Sequence, residues 1–380
     1  MQITTVGVIG LGTMGAGIAE VFARSGVSVV AVEIDDRLLG LGRGRVANSL
    51  QRAADRGRIS ADDKAAIEGR LRYTTDRADL AAAGLVVEAI PERIELKTEL
   101  FADLDGICPP ETVLATNTSS LPVTALATGT ARRARVVGMH FFNPAPVMKL
   151  VEVVRTVVAD DEAVAAVVDL ATRCGKTPVV VSDRAGFIAN ALLFGYLNDA
   201  AKMAERQHAD VAEIDAAMTA AAGFPMGPLT LMDLIGLDVC LEVLEVMYDE
   251  TRDQRYAPSP LLKRLVLAGL LGRKSGRGYY RYDAREPQSA LEFTVSKPVA
   301  LQVRRSSSYI VESLLYPHLD DAVRMVDDNY ATADDVDTAM RLGCGYPRGP
   351  FELLQEIGPK VVAEALEQTG RSPSPLLREL

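Results

Sequence analysis

The sequence of 380 residues contains no tryptophan, few cysteines and few histidines, and no long uninterrupted apolar run. Its four cysteines lie far apart and form no CxxC pair, which argues against a disulfide scaffold and against a zinc site. Its apolar runs are broken by Gly, Pro or charged residues well short of the roughly 20 residues that a membrane-spanning helix needs. We therefore predict no metal site and no membrane partner.

Positive charge is also in short supply. The 41 Lys and Arg residues are outnumbered by 51 Asp and Glu residues, so the formal net charge of -10 gives no general attraction to nucleic acid. Met1 leads directly into an apolar strand-like run rather than into the charged region and cleavage site of a signal peptide. The chain is therefore predicted to be cytoplasmic, without a nucleic-acid partner, and long enough for two or three domains.

The first half of the chain alternates strand-like and helix-like stretches. Short β-branched runs are separated by charged helical stretches such as Glu92–Leu104. The strand-like runs are Val6–Ile9, Val27–Glu33, Leu85–Ala89, Val113–Thr116, Val136–Met139, Val151–Val158 and Pro178–Val181. This alternation predicts an α/β fold with a doubly wound, mostly parallel sheet that has helices on both faces, and it places the last two strands at the sheet edge.

From about Gly186 the pattern becomes helical. Helices are predicted at Ile188–Glu205, Val211–Ala222 and Leu229–Tyr248, and a Gly/Arg/Tyr-rich segment, Gly272–Tyr282, closes this region. We predict a nucleotide-binding domain at 1–184, an all-α domain at 185–283, a linker at 284–298 and a second all-α domain at 299–380.

The two all-α domains are predicted to be copies of one unit. A shift of 122 positions aligns Leu192–Asp238 with Leu314–Lys360 without a gap, and 17 of the 47 aligned pairs are identical. The clearest match sets the motif that begins at Gly223 (GFPMGP) against the motif that begins at Gly345 (GYPRGP). Because chance would give only a few identities, the alignment indicates a duplication. The unit is too long and too few in copy number for a solenoid.

A glycine-rich turn follows the first strand. The run Gly10-Leu-Gly12-Thr13-Met14-Gly15 joins that strand to a helix. In this pattern the first glycine permits a tight turn, the second lets the backbone approach a pyrophosphate, and the third allows close packing of helix on strand. A phosphate would then bind at the helix N-terminus. The glycine pattern alone is common, but its position between strand and helix predicts a Rossmann dinucleotide site.

Glu33, at the end of the second strand, indicates the choice of cofactor. A carboxylate there can accept the ribose hydroxyls of adenosine and would repel a 2′-phosphate, which favours NAD over NADP. FAD uses the same glycine pattern and is the alternative cofactor. The alternative without function is a solvated carboxylate at a strand end.

His140 is the histidine best placed for catalysis. His208 lies in a polar stretch typical of a solvated helix end, and we assign no function to His318. His140 follows the predicted strand Val136–Met139, and sites in open parallel sheets lie beyond the carboxyl ends of strands. Glu152, in the next strand-like run, can bond one ring nitrogen, fix the tautomer and make the other nitrogen more basic. The spacing permits this contact without requiring it, and a buried structural histidine is the alternative.

Taken together, these stretches resemble the 3-hydroxyacyl-CoA dehydrogenase family. The matching segments occur in family order and are Ile9–Glu20, Val86–Arg93, Ala115–Pro122, His140–Val154, Gly186–Asn190, Phe224–Val239 and Lys274–Asp283. The resemblance implies NAD-dependent oxidation of a short (3S)-3-hydroxyacyl-CoA to the 3-ketoacyl-CoA, or the reverse reduction.

The resemblance also implies functions for individual residues. It assigns His140 as the base, Glu152 as its orienting carboxylate, Ser119 as a partner of the substrate hydroxyl, and Asn190 as a partner of the substrate carbonyl end. Three residues would contact the nicotinamide half of NAD: Glu92, Lys97 and Asn117. Three others, on the basic helical stretch Arg37–Arg58, would meet the CoA end of the substrate: Ser49, Arg52 and Arg56. Without the resemblance, Ser119 is more simply explained as a turn residue, and an ordinary solvated helix face explains each arginine equally well.

The chain departs from the family pattern at two positions. Ala185 replaces the usual proline, and Ala191 replaces the arginine that usually follows Asn190, which leaves the substrate range open. In the second copy Glu312 stands opposite Asn190, so we expect one active centre per chain. The resemblance implies that shorter relatives dimerise through one such helical domain. The extra copy is expected to pack on the first and to mimic that contact within one chain. The protein is expected to be a monomer or a homodimer. The alternatives are a gulonate-type or other 3-hydroxy acid dehydrogenase of the same superfamily that acts on a substrate without CoA, and a binding protein that senses NAD(H).

Overall fold

The computed structural model describes residues 3–282 and 306–380, together with the backbone of Gln288–Ser289. The chain divides into two compact units, Met1–Phe187 and Ile188–Leu380. Most of the predicted linker at 284–298 lies outside the described residues. The exception is the short strand Gln288–Ser289, which pairs antiparallel with Tyr280–Arg281.

The first unit is built on one sheet of consecutive Val-, Ile- and Leu-rich strands. Its strands are β1 (Thr5–Ile9), β2 (Ser28–Val32), β3 (Leu71–Thr74), β4 (Leu85–Glu88), β5 (Val113–Thr116), β6 (Val136–Phe141), β7 (Leu150–Arg155) and β8 (Thr177–Ser182). Within the described residues the strand order is β3-β2-β1-β4-β5-β6-β7-β8. Every neighbouring pair is parallel except β6 and β7. The predicted α/β fold class is confirmed, and the order of the first six strands is that of a Rossmann fold.

Helices flank this sheet and bury apolar residues in the core that they share with it. They are α1 (Thr13–Arg24), α2 (Asp36–Asp55), α3 (Ala61–Glu68), α4 (Ile94–Ile107), α5 (Val123–Thr128) and α6 (Asp161–Arg173). Phe22 of α1 and Leu170 of α6 are fully buried in the core that the strands share with the helices. This core holds the carboxyl ends of β1, β4 and β5 side by side.

Two of the predicted strands have a boundary that differs from the structure by more than one residue. Strand β6 continues to Phe141, so His140 lies inside a strand and does not open the following turn. Strand β7 ends at Arg155, because the chain turns out toward solvent and leaves Val157 84% exposed. The apolar pattern alone therefore predicted β7 to be too long and β6 to be too short.

The second unit is helical. Its helices are α7 (Ala189–Glu205), α8 (Val211–Ala222), α9 (Pro228–Ile235), α10 (Leu237–Thr251), α11 (Pro260–Leu267), α12 (Ser307–Asp327), α13 (Ala333–Gly343), α14 (Pro350–Ile357), α15 (Pro359–Gln368) and α16 (Pro375–Glu379). The single helix predicted over Leu229–Tyr248 is in fact two. Gly236 separates them, since its φ of +108° cannot continue a helix. In the described part of the chain, no helix has the length and hydropathy that crossing a membrane requires.

The two copies of the repeated unit pack against each other inside the second unit. Phe224 and its repeat mate Tyr346 stack with ring centroids 4.1 Å apart. Tyr196 and its repeat mate His318 meet with centroids 5.3 Å apart. Residues that touch their own repeat mates lie close to an approximate twofold axis that relates the two copies. The duplication seen in the sequence therefore forms a paired structure within one chain.

His318 lies deep in this pairing region. It is 2% exposed, and its Nε2 lies 3.3 Å from the hydroxyl of Tyr346. Burial lowers the pKa of His318 from 6.5 to about 4, although the backbone of Leu192 favours the charged form. The ring is therefore neutral in the folded protein at pH 7, whereas an unfolded chain would take up a proton near pH 6.5.

Acidification from pH 7 to pH 5 should destabilise the protein through His318. Because the folded pKa lies below the unfolded one, the stabilisation is present above pH 6.5 and is lost as the pH falls toward 4. Linkage gives a loss in the free energy of unfolding on the order of 2 kcal/mol over this interval. Urea unfolding at both pH values measures the loss, and the variant His318→Gln should lack that part of it. An equal pH dependence in the two proteins would contradict the assignment.

Candidate active site

The glycine-rich turn has the geometry of a dinucleotide loop. Gly10 has a φ of +86°, and a Cβ built on Gly15 would lie 1.7 Å from the carbonyl oxygen of Gly10, so a side chain fits at neither position. Around Gly12, by contrast, a Cβ would meet no atom within 4 Å, which leaves that face open. Helix α1 begins at Thr13, directly after this open face, so its first N–H groups suit a pyrophosphate.

Glu33 lies beside this loop and is already oriented. Its Oε1 accepts a hydrogen bond from the backbone N–H of Leu11 at 2.7 Å, and its Oε2 accepts one from the N–H of Ile34 at 3.0 Å. A carboxylate fixed in this way next to the glycine turn suits the ribose hydroxyls of NAD. The residues present therefore fit this cofactor.

Helix α2 packs directly on the glycine-rich turn. A Cβ on Gly42 would lie 2.3 Å from the Cβ of Leu11, and Arg45 donates a hydrogen bond to the carbonyl of Leu11 at 3.2 Å. Along the same helix Arg52 is exposed, Arg56 is exposed just past the last residue, and Ser49 is half-buried. The three residues predicted to meet CoA thus follow one another along the helix that adjoins the nucleotide loop.

His140 and Glu152 face each other across the antiparallel pair β6–β7. The two residues are directly opposite in register, which brings their side chains together on one face of the sheet. His140 Nδ1 lies 2.7 Å from Glu152 Oε2. Glu152 is fully buried and His140 is 6% exposed. Because Nδ1 is held by the carboxylate, Nε2 is the ring nitrogen left to exchange a proton.

Two aromatic rings border the imidazole. The ring of Phe142 lies 4.5 Å from that of His140, and the ring of Phe187 lies 5.6 Å from it, measured between centroids. Phe187 is 1% exposed and has a φ of +50°, an uncommon conformation for a residue other than glycine. These contacts restrict rotation of the imidazole and reduce access of water to it.

The loop after β5 carries Ser119 and is tied down on two sides. The side-chain oxygen of Asn117 accepts a hydrogen bond from the N–H of Phe141 at 2.8 Å, which links the loop to the strand of His140. Glu92 Oε1 accepts one from the N–H of Ser119 at 3.0 Å. Burial opposes ionisation of Glu92, but Lys97 and the hydrogen bonds from Thr118 and Ser119 hold its pKa below the usual value.

The predicted site residues thus fall into two groups. In the first unit, Glu92 and Asn117 tie the Ser119 loop to β6, the strand of His140, and His140 contacts Glu152 on β7. Asn190 lies in the first turn of α7, in the second unit. Its function in substrate binding stays a prediction.

Among the described residues, no group of His, Cys, Asp or Glu side chains is arranged to hold a metal ion.

Sequence reasoning missed the residues that hold these loops. Lys176 donates hydrogen bonds to the carbonyls of Ala145 and Met148 at 2.6 and 2.7 Å, and so fixes the turn between β6 and β7. Asp183 accepts a hydrogen bond from the N–H of Val123 at 3.0 Å and caps helix α5 after the Ser119 loop. The available signal was a charged residue directly at each end of a short β-branched strand.

Known proteins share this architecture. Residues 5–184 match the model of the NAD binding domain of 3-hydroxyacyl-CoA dehydrogenase, and residues 186–282 and 309–379 match the model of its C-terminal domain. The 3-hydroxybutyryl-CoA dehydrogenase of Mycobacterium tuberculosis is 47% identical over 282 residues, which are 74% of this chain and 99% of that protein.

Two matches from Escherichia coli extend the similarity to the second helical copy. A 3-hydroxyadipyl-CoA dehydrogenase is 39% identical over 367 residues, which are 96% of this chain and 74% of that protein. The crystal structure of a 3-hydroxybutyryl-CoA dehydrogenase from the K12 strain matches with a TM-score of 0.90 at 34% identity, and it covers 100% of this chain and 98% of that chain.

Proposed function

Because the chain belongs to the 3-hydroxyacyl-CoA dehydrogenase family and is an NAD-dependent oxidoreductase, we propose that it oxidises a short (3S)-3-hydroxyacyl-CoA to the 3-ketoacyl-CoA, or catalyses the reverse reduction. The observation that carries this proposal is the buried pair of His140 and Glu152, with Nδ1 and Oε2 2.7 Å apart. A base that is fixed through one nitrogen and open at the other is what removal of a hydroxyl proton needs.

The proton and the hydride leave the substrate by separate routes. Bound NAD supplies the acceptor for the hydride from C3. His140 Nε2 takes the proton of the 3-hydroxyl, and the electron pair of the O–H bond forms the C=O bond. Glu152 stabilises the imidazolium that results. Ser119 hydrogen-bonds the reacting oxygen, and Asn190 holds the thioester carbonyl. In the reverse direction His140 starts protonated and returns the same proton.

The CoA end of the substrate is proposed to meet helix α2. Arg52 and Arg56 are exposed, and guanidinium groups bind phosphate oxygens in a bidentate manner. Ser49 is half-buried on the same helix and can hydrogen-bond the pantetheine chain. The packing of Gly42 and Arg45 on the nucleotide loop supports this proposal, because it sets the helix that carries the arginines beside the cofactor site.

A dicarboxylic acyl-CoA is a second candidate substrate. The E. coli relative that aligns with 96% of this chain, including the second helical copy, is a 3-hydroxyadipyl-CoA dehydrogenase. Ala191 stands where the family usually has an arginine, so a positive charge next to Asn190 is missing. Its absence argues against electrostatic attraction of a distal carboxylate at that position. We therefore rank a short acyl chain without a second carboxylate first.

A substrate series tests these proposals. NADH oxidation would be followed with acetoacetyl-CoA, 3-oxoadipyl-CoA, free acetoacetate and a 3-keto sugar acid. We expect the highest kcat/KM with acetoacetyl-CoA. A preference for 3-oxoadipyl-CoA would select the second candidate, and activity on the free acids alone would favour a gulonate-type dehydrogenase. Binding of NADH without turnover of any of the four would favour an NAD(H)-sensing protein.

The paired helical copies are proposed to replace the dimer contact of shorter relatives. Support comes from the direct packing of repeat mates in the second unit, Phe224 on Tyr346 and Tyr196 on His318. Sedimentation velocity should then give the mass of one chain, 40.8 kDa. A tight dimer built through helices α7 to α10 would contradict this proposal.

A cytoplasmic location stays a prediction.

A further inference from the structure

Glu88 is a buried carboxylate that the proposed reaction does not use. It is the last residue of β4 and is fully buried at the carboxyl-end edge of the sheet. Burial raises its pKa, while Lys97 and several hydrogen bonds act in the opposite direction. An ion at such a position is costly unless its partners are well placed, and a hydrophobic residue of similar size would often be as stable. The retained charge therefore calls for an explanation.

The partners of Glu88 occupy both of its oxygens. Oε1 accepts hydrogen bonds from Lys97 Nζ at 2.7 Å and from the N–H of Ile90 at 2.6 Å. Oε2 accepts one from the hydroxyl of Thr116 at 2.7 Å, across the β4–β5 pair in which the two residues are directly opposite. Glu88 is thus fixed to the strand that leads into the Ser119 loop.

Lys97 carries the connection onward. Its side chain is 1% exposed, and its Nζ lies 2.7 Å from Glu88 Oε1, 3.1 Å from Glu92 Oε2 and 3.3 Å from the carbonyl oxygen of Ile90. Two N–H groups of the ammonium are hydrogen-bonded to Glu88 and to the carbonyl of Ile90, and Glu92 forms an ion pair with it. Its position makes Lys97 a link between two carboxylates.

Glu92 completes the connection to the catalytic loop. Its Oε2 faces Lys97, and its Oε1 accepts hydrogen bonds from the N–H of Ser119 and from the hydroxyl of Thr118. The oxygen of Thr118 in turn accepts the N–H of Leu121 at 2.9 Å, which shapes the turn around Ser119. Glu92 is 30% exposed and would have several rotamers without Lys97. The place of Ser119 thus depends on a chain of charged groups that begins at Glu88.

We propose that Glu88 is a positioning residue for Ser119 and acts through Lys97 and Glu92. Since this inference rests on the proposed contact of Ser119 with the reacting oxygen, it deepens the proposed function. The buried pair of Glu88 and Lys97 holds Glu92 in one orientation, and Glu92 holds the backbone of Ser119. Loss of the pair lets the serine hydroxyl move relative to His140, and displacements of about 1 Å at a reacting centre cost up to about 100-fold in rate.

The variant Glu88→Gln tests the inference. It keeps the shape of the side chain and removes the charge that fixes Lys97. We expect kcat with the substrate that the wild type turns over to fall by about 10- to 100-fold. In a Ser119→Ala background the same substitution should have little further effect, because the two changes act on one interaction. If the losses of kcat in the two single variants multiply in the double variant, the proposal is overturned while the proposed activity stands.

Hydrogen exchange gives a second readout that does not depend on turnover. Exchange of the backbone amides at 117–121 should speed up in Glu88→Gln. The matched control is Asp105→Asn, which breaks a similar network at the other end of α4, where Asp105 accepts from Thr130 at 2.6 Å and from Arg132 at 2.8 Å. This control should lower stability but leave both kcat and exchange at 117–121 unchanged. Unchanged exchange in Glu88→Gln would overturn the inference.

A double variant keeps the test decisive if Glu88→Gln does not fold. Replacing both partners, as Glu88→Leu with Lys97→Met, removes the buried charges together and avoids an uncompensated ion. The folded double variant should show the same loss of kcat and the same faster exchange at 117–121. Wild-type kcat in this variant would show that the charged chain does not position Ser119.

Discussion

Replacement of His140 by Gln should lower kcat by about 10²- to 10⁴-fold, which is the usual contribution of a positioned general base. Gln is similar in length but cannot accept and return a proton at neutral pH. Because His140 lies on β6 rather than in the nucleotide loop, the affinity for NADH should change little. Fluorescence titration of NADH and steady-state rates measure the two effects separately.

The control for this experiment is His208→Gln. His208 lies between helices α7 and α8, where its ring contacts the edge of Tyr309 with centroids 6.3 Å apart. We expect this variant to retain the wild-type kcat. A His140→Gln enzyme that keeps more than about a tenth of the wild-type rate would contradict the assignment of His140 as the base.

Replacement of Glu152 by Gln should also reduce kcat, by a factor approaching that of the histidine change. The amide keeps the volume of the side chain but removes the charge that stabilises an imidazolium, and it can hold the ring in the wrong tautomer. The effect is large because Glu152 is fully buried, so water cannot replace the lost charge. Rates of Glu152→Gln with the best substrate of the series provide the measurement.

The double variant shows whether the two residues act as a unit. When a base and its orienting carboxylate work together, removing both costs about as much as removing the base alone. We expect His140→Gln with Glu152→Gln to be as slow as His140→Gln. Multiplied losses, or a Glu152→Gln enzyme with wild-type kcat, would mean that Glu152 has only a structural function in the β6–β7 pair.

The sequence was sufficient for features that depend on local pattern. The alternation of strands and helices predicted the sheet, and the glycine turn with Glu33 predicted the nucleotide loop that the structure contains. The boundaries of α8 (Val211–Ala222) were predicted correctly because Asp210 caps its start and Gly223 ends it in a left-handed conformation. These signals act over a few residues and can be read without the rest of the fold.

Other features depend on contacts between distant segments. Strand β3 (Leu71–Thr74) was missed because it is a half-buried edge strand whose pairing with β2 compensates for a weak apolar pattern. The contact between His140 and Glu152 was only permitted by spacing, since the antiparallel register that fixes it is set by the whole sheet. Likewise, Glu88 stands out only when Lys97 and Thr116 are seen around it.

Because repeat mates pair inside one chain, the two helical copies can change independently in sequence. In a symmetric homodimer every substitution appears twice, so a residue on the twofold axis always meets itself. Here Tyr196 meets His318 and Phe224 meets Tyr346, and each partner can be replaced without altering the other. One copy is therefore free to lose residues that the other keeps, as Glu312 opposite Asn190 illustrates, while it continues to support that other copy.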